Sequence, residues 1–271
     1  MDITVVIPTY NRYAFLRRAL ESVFSQSYLA KEVIVIDDGS SDETSKIQND
    51  FPTIKYIYQE NSGVSAARNR GINEAGNEWI AFLDSDDTWH KEKLREQANF
   101  HKQNPDILMS YTDEVWIRNG KEIKLPKKYC KIGCDAFLEN LSYCNIAPSS
   151  VLIHKKIFEQ IGFFDEDLEV CEDYDLWLRI ASKHKIGYIP HKLINKYAGH
   201  TDQLSFKHWG MDRWRVGTLE KLLSGLENRE RKEQIKEELI KKYTLLYKGA
   251  RKYDKIQEIQ LYENKLEQLK G

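Results

Sequence analysis

The feature that most restricts how this chain can fold is a set of short, almost unbroken apolar runs separated by helix-like segments. Val5-Val6-Ile7, Val33-Ile34-Val35-Ile36 and Ile80-Ala81-Phe82-Leu83 show no alternation of apolar and polar residues, and Ile54 to Tyr58 adds a third strand in order. A strand that is apolar on both faces must be covered on both, which is the condition of a parallel sheet flanked by helices. Helical patterns fall between the runs. Ala14 to Phe24 carries Phe15, Leu16, Ala19, Leu20 and Val23 at helical spacing, and helices are expected near Glu43–Asn49 and Gly63–Asn73. The expected fold is therefore α/β, with a mostly parallel central sheet and helices on both faces.

Ligands in such sheets sit beyond the carboxyl ends of the strands. Polar residues collect at those ends: Pro8-Thr9-Tyr10-Asn11 after the first strand, Asp37-Asp38 after the second, Asp84-Ser85-Asp86-Asp87 after the fourth. Carboxylates at the exit of a buried strand are costly unless paired or bound to a cation. Hard oxygen ligands suit Mg²⁺ or Mn²⁺. The plain alternative is an acidic turn that caps a helix after Thr88.

The formal net charge of -1 gives no general attraction to nucleic acid. Met1 to Pro8 reads as a strand and not as a signal peptide, and no apolar run is long enough to span a bilayer. A cytoplasmic location is expected, with any membrane contact at the inner face. Cys130, Cys134, Cys144 and Cys171 lack a zinc-ligand spacing and are expected to be reduced and mostly buried.

The second half is less regular. Ile107 to Trp116 reads as a long strand that turns at Asn119-Gly120 into Glu122–Leu125. Further elements are expected at Asp135–Leu141 (helix), Ser150–Ile153 (strand), Lys155–Ile161 and Glu172–Lys183 (helices), and Ile186–Ile189 and Leu193–Tyr197 (strands). From residue 207 onward Leu, Ile, Lys and Glu dominate, which predicts two or three helices broken near Gly225 and Gly249. Their apolar stripes, with Leu222, Leu223, Leu226, Leu239, Ile240, Leu245 and Leu246, would pack on the parent domain. The alternative is a partner helix or peripheral contact with an anionic membrane.

Five segments together resemble the GT-A-fold glycosyltransferases of family 2: Val6–Arg12, Val35–Asp42, Gly63–Asn69, Phe82–Asp87 and Glu172–Arg179. The resemblance spans residues 1–180 and weakens after 205. It implies a GT-A domain over 1–206, with a nucleotide-sugar-binding half (1–105) and an acceptor-binding half (106–206), followed by a helical extension over 207–271. It implies transfer of a sugar from a nucleotide-diphosphate donor, a UDP-sugar, to an acceptor hydroxyl with inversion. The acceptor would be a saccharide or a lipid-linked sugar in cell-surface polysaccharide or glycolipid synthesis.

By the same resemblance Asp86 is a direct ligand of Mn²⁺ or Mg²⁺, and Asp84 orients the donor ribose or the metal. Asp38 bonds the uracil ring, while Pro8, Thr9, Tyr10 and Ser85 line the nucleotide and Arg12 and Arg68 are cations beside it. His200, in the loop Ala198–Ser205, would touch the metal or the diphosphate. Asp87 would structure the turn. Trp89 could stack on a sugar, whereas Trp177 reads as core.

An inverting transfer needs a general base beside the acceptor hydroxyl. Asp173, Leu176, Trp177 and Ile180 share one helical face, so Asp173 is expected to point inward as that base. Glu172 falls on another face with Asp175 and Arg179, as a supporting or acceptor-binding residue. Two other functions stay open at this point. A nucleotidyltransferase would want a Gly-rich phosphate loop, which Pro8–Asn11 does not supply. A nucleotide-sugar-binding scaffold without catalysis would keep the same pocket.

Overall fold

The computed structural model describes residues 1–126, 129, 131–199 and 210–270; Cys130 and His200 lie outside them. The chain divides into two compact units, Met1–Gln203 and Leu204–Gly271.

The first unit opens with β1 (Ile3–Thr9), α1 (Tyr13–Phe24), β2 (Glu32–Asp38), α2 (Ile47–Asp50), β3 (Lys55–Gln59), α3 (Gly63–Glu74) and β4 (Trp79–Phe82). These strands form a parallel array in the order β3-β2-β1-β4. Register sets Val5 beside Val33 on one side and Ala81 on the other. Successive residues then feed two separate cores. Val6, Ile34, Ile36, Ile80 and Phe82 pack on one face with Ala67 and Ile72 of α3. Ile3, Val5, Ile7, Val33, Val35 and Ala81 pack on the other with Leu16, Ala19, Leu20 and Val23 of α1. This explains the unbroken apolar runs: each strand is buried on both faces.

The second half continues with β5 (Thr88–Trp89), α4 (Lys93–Gln103), β6 (Met109–Arg118), β7 (Lys121–Ile123), α5 (Ala136–Leu141), β8 (Leu152–His154), α6 (Lys156–Ile161), α7 (Glu172–Ala181) and β9 (Gly187–Ala198). Here the sheet becomes mixed. β8 runs antiparallel to both β4 and β6, β6 runs parallel to β9, and β5 runs antiparallel to β9. Asn119 and Gly120, both at positive φ, turn β6 into β7. Leu176, Trp177 and Ile180 of α7 join the α3-side core.

Several elements depart from the pattern-based expectation. The two short strands around Pro190 are one strand, β9. Its ladder with β6 slips at Thr112/Asp113 and Asp113/Glu114, and that irregularity accommodates a residue with no N–H to donate. Thr88 and Trp89 pair with Asn195 and Ile194 of β9, and the next helix begins only at Lys93, so the acidic turn does not cap a helix. Of the described cysteines, none of them in a disulfide, only Cys171 is buried; Cys144 is half-buried and Cys134 exposed.

The second unit holds α8 (Asp212–Gly225), α9 (Arg229–Lys252) and α10 (Ile256–Lys270). Val216, Leu219, Leu226, Ile235, Leu239, Tyr243 and Tyr262 form its buried side. Lys242 bonds Asp212 at 2.9 Å and Glu238 at 3.3 Å within it. Helix α9 runs straight through Gly249, contrary to the expected break there; the chain turns at Asp254, at φ 51°. No helix among the described residues is long and apolar enough to cross a membrane.

Helix α3 lies on β1 so closely that a Cβ at Gly71 would sit 2.2 Å from Val6 Cγ1. Gly→Ala inside a helix ordinarily stabilises by about 1 kcal/mol. At Gly71 the sign reverses: Gly71→Ala is expected to lower stability by about 1–3 kcal/mol, the scale of overpacking. Urea denaturation measures it, and adding Val6→Ala should recover part of the loss. An unchanged midpoint in the single variant would show that α3 can ride off β1.

Candidate active site

The acidic turn is built by its neighbours. Leu83 N–H donates to Val6 O at 3.1 Å, and Asp87 N–H closes the turn onto Asp84 O at 3.0 Å. Ser149 Oγ accepts the Asp84 N–H at 3.1 Å and donates to Asp87 Oδ2 at 2.6 Å. Trp89, buried, donates its indole N–H to Ser149 O at 2.8 Å. It belongs to the scaffold of the turn and presents no face for a sugar. Burial pushes the Asp87 carboxyl well above the ordinary carboxylate range, helped by the charges of Asp86 and Asp84 and opposed by Lys196 and Ser149. Ser85 is buried, which leaves Asp84 and Asp86 as the partly exposed carboxylates of the turn.

Arg68 of α3 reaches across the crevice. Its Nη2 donates to Asp84 Oδ1 and its Nη1 to Glu172 Oε1, both at 2.7 Å. The guanidinium is 4% exposed, Glu172 8% and Asp84 25%. Burial alone would raise Asp84, but Arg68, with Lys196 and Arg12 behind it, holds that carboxyl below its usual range. Burial and the adjacent charge of Asp173 push Glu172 up to about 7, with Arg68 pulling the other way. The helical-face reading therefore needs correcting. Glu172, the first residue of α7, is the inward acid, because Arg68 is there to receive it. Asp173 is half-buried and keeps Oδ1 on the Tyr174 N–H at 2.7 Å. Asp175 and Arg179 pair at 2.6 Å one turn further along the helix.

The ends of β1 and β2 are tied to one another. Asn11, at φ 52°, uses Oδ1 to accept from Ser41 N–H at 2.7 Å and Asp42 N–H at 3.2 Å, while its own N–H donates to Ser40 Oγ at 2.8 Å. Asp37 accepts from Ser40 N–H at 2.8 Å and from the Tyr56 hydroxyl. Asp38 is committed to the start of α3, accepting from Ser62 N–H and Gly63 N–H at 2.9 Å each and from Gln59 at 2.8 Å. Pro8 and Thr9 are buried and Tyr10 is exposed. Thr9 Oγ1 and Arg68 Nε are buried without a hydrogen-bond partner among the described residues. Arg12 bonds Asp86 Oδ2 at 3.0 Å.

Three contributors were not singled out from sequence. Ser149 lies in a single 3₁₀ turn, Pro148–Ser150, too short to give a periodic signal. Arg18 donates to Asp86 O at 2.7 Å and lies 3.7 Å over the Tyr197 ring; it sits on a helix otherwise read for its apolar face. Lys196 of β9 lies 5.0 Å from the Trp116 ring centroid, and Glu114, Asp87, Asp84 and Asp173 hold it firmly protonated against burial. The parity of β9, which aims Lys196 into the crevice, was hidden by the interruption at Pro190.

A divalent cation can be tested against this donor set. Among the described residues no group of three or more His, Cys, Asp or Glu side chains forms a ready-made metal cage. Asp84 gives Oδ1 to Arg68 and Asp86 gives Oδ2 to Arg12, so each has a second oxygen to offer. Mg²⁺ is commonly held by one or two carboxylates plus substrate phosphates, and two such carboxylates fit that mode.

Residues 4–162 match the family model for glycosyl transferase family 2. An uncharacterized glycosyltransferase of Rickettsia felis is 36% identical over 195 residues, 70% of this chain and 32% of the relative, so the chain spans about a third of that protein. The Escherichia coli enzyme WfaP, named as a UDP-Glc:α-D-GlcNAc-diphosphoundecaprenol β-1,3-glucosyltransferase, is 33% identical over 184 residues, 67% of this chain and 70% of its own. The crystal structure of S. aureus TarS 1–349 with UDP-GlcNAc superposes with a TM-score of 0.69 at 21% identity, covering 89% of this chain and 71% of that one.

The Glu172 environment makes a titration test. Its folded value near 7 lies above the ordinary 4.5. The native state thus binds the extra proton between those values, and folding stability falls as pH rises through that window. Carbon-13 NMR of labelled glutamate should show one carboxyl titrating near neutrality. Asp173→Asn should move that midpoint down by removing a like charge, and Arg68→Met should move it up. A midpoint near 4.5 in the wild type would place the Arg68 pairing above burial in strength.

Proposed function

Because the chain belongs to glycosyl transferase family 2, we propose that it transfers a sugar from a nucleoside-diphosphate donor, a UDP-sugar, to an acceptor hydroxyl with inversion at the anomeric carbon. One observation carries the reading most of the way. Arg68 ties the donor-side turn at Asp84 to the first residue of α7, which brings the half-buried Asp173 to the same crevice as Asp84 and Asp86.

In this mechanism Asp173 is the base. The acceptor oxygen bonds to the anomeric carbon as Asp173 takes its proton, and the pair of electrons in the broken bond leaves with the diphosphate. A base must begin as the carboxylate, and its proton is taken only as the new bond forms. Asp86, with Asp84, would hold Mg²⁺ or Mn²⁺, which as a Lewis acid would offset charge on the departing diphosphate. Arg68 keeps Asp84 ionised and aligned. The unpartnered Thr9 Oγ1 supports a nucleotide lying along the ends of β1 and β2. Asp38 serves this pocket chiefly by fixing the start of α3. The uridine donor is supported by the substrate in the name of WfaP and the ligand of TarS. A saccharide or lipid-linked acceptor in polysaccharide or glycolipid synthesis is the reading supported by the name of WfaP.

Calorimetric titration with UDP, GDP and dTDP, each with and without Mn²⁺, tests the donor. UDP is expected to bind tightest, and Asp86→Ala to abolish its metal-dependent part; unchanged affinity with Mn²⁺ present would remove Asp86 from the metal site. Asp173→Asn should leave UDP affinity within about twofold while turnover of a UDP-sugar falls by at least about 100-fold, the scale of a lost general base. Near-normal turnover would reassign the base.

A further inference from the structure

We propose that Lys196 is a binding residue for the diphosphate of the donor, a cation placed where charge accumulates as the sugar departs. This rests on the donor reading above and adds to it a contact made by the protein itself.

The placement comes from the sheet. β9 pairs with two strands at once: Trp116 of β6 lies opposite Lys196, and Thr88 of β5 lies opposite Asn195. Lys196 therefore stands beside the strand that follows directly from Asp87, at the joint between the acidic turn and the second half of the sheet. Its ammonium faces the Trp116 ring at 5.0 Å, which stabilises a cation without using its N–H donors.

Lys196 differs from the other cations of the crevice. Arg12 is paired with Asp86, Arg68 with Asp84 and Glu172, and Lys131 with Glu114 at 2.7 Å. Arg18 gives Nη2 to the Asp86 carbonyl. Lys196 makes neither a hydrogen bond nor an ion pair with any described residue, although Glu114, Asp87, Asp84 and Asp173 surround it at longer range. A half-buried ammonium with its three donors uncommitted is costly on its own and is suited to receive an anion. The acids around it hold it charged but do not close on it.

The anion that fits is the diphosphate. In the transfer, the bond from the anomeric carbon to the β-phosphate oxygen breaks and its electron pair stays on that oxygen. The added negative charge falls between Asp84–Asp86 and α7, which is the ground that Lys196 adjoins. A fixed cation there acts more strongly on the departing diphosphate than on the bound donor, which is what lowers a barrier.

The test uses the full chain and two ligands, UDP and inorganic pyrophosphate, with UMP as control, all with Mn²⁺ present. Lys196→Met is expected to weaken UDP and pyrophosphate by at least about tenfold and UMP by much less, with Lys196→Arg recovering most of the loss. Equal binding of UDP and pyrophosphate by wild type and Lys196→Met overturns the assignment. Absence of UDP binding in the wild type overturns the donor reading and this proposal with it, so the two failures are distinct. A second measurement needs no variant: reductive methylation of Lys196, mapped by mass spectrometry, should slow with UDP and Mn²⁺ and be unaffected by UMP. Unchanged methylation with UDP at saturation also overturns it.

Discussion

The guanidinium of Arg68 is the interaction on which the rest of the crevice depends. One buried cation holds two carboxylates that belong to distant parts of the chain, Asp84 at the exit of β4 and Glu172 at the entrance of α7. Breaking a buried pair by removing one partner commonly costs about 3–5 kcal/mol, because the remaining charges lose their compensation. Here removal would leave two acids facing each other, with Asp173 next in sequence. The planar fork of arginine suits this bridge because its two Nη groups each meet a separate carboxylate, and a lysine ammonium could not keep both at that geometry. The two halves of the first unit are thus joined by a polar bridge in addition to the apolar core that α3 and α7 share.

Around that bridge most acids hold the scaffold. Asp38 fastens the start of α3, Asp37 fixes the turn after β2, Asp87 is locked to Ser149, and Asn11 laces the end of β1 to the end of β2. An acidic run at a strand end is therefore a poor count of ligands. The useful distinction is whether a carboxylate has an oxygen left over after its structural bonds. By that criterion Asp84 and Asp86 remain available in the turn, and Asp173 on α7, whereas Asp37 and Asp38, with both oxygens engaged, do not.

The parallel first half was legible in the sequence because burial on both faces leaves unbroken apolar runs, and Val5, Val33 and Ala81 stack in register for that reason. The polar strand ends were legible because backbone topology alone puts them in one crevice. Side-chain direction was less so. Helical periodicity places Asp173 on the same face as Leu176, yet at the first turn a single buried partner decides which acid turns inward, and Arg68 lies 104 residues away from Glu172 in sequence. Lys196 was hidden for a related reason. A strand interrupted by Pro190 reads as two, and the register shift against β6 that resolves it depends on a partner strand elsewhere in the chain.

The charge pattern left by these pairings has a direction. Once Arg12, Arg68 and Lys131 are matched to their acids, the crevice retains a carboxylate without an ion pair among the described residues, Asp173, and an ammonium without one, Lys196. A transfer of the proposed kind removes a proton from the acceptor and delivers negative charge to the diphosphate, so it needs a base and a cation that the fold has not already neutralised. Were Asp173 and Lys196 to close on each other, each would lose what the reaction asks of it: the base its proton affinity, the cation its open donors. The Trp116 ring and the spread of acids around Lys196 keep the ammonium charged and in place without that closure. The sheet, paired on both sides of β9, fixes the Lys196 end of this arrangement, and the Arg68–Glu172 pair fixes the start of the helix that carries Asp173.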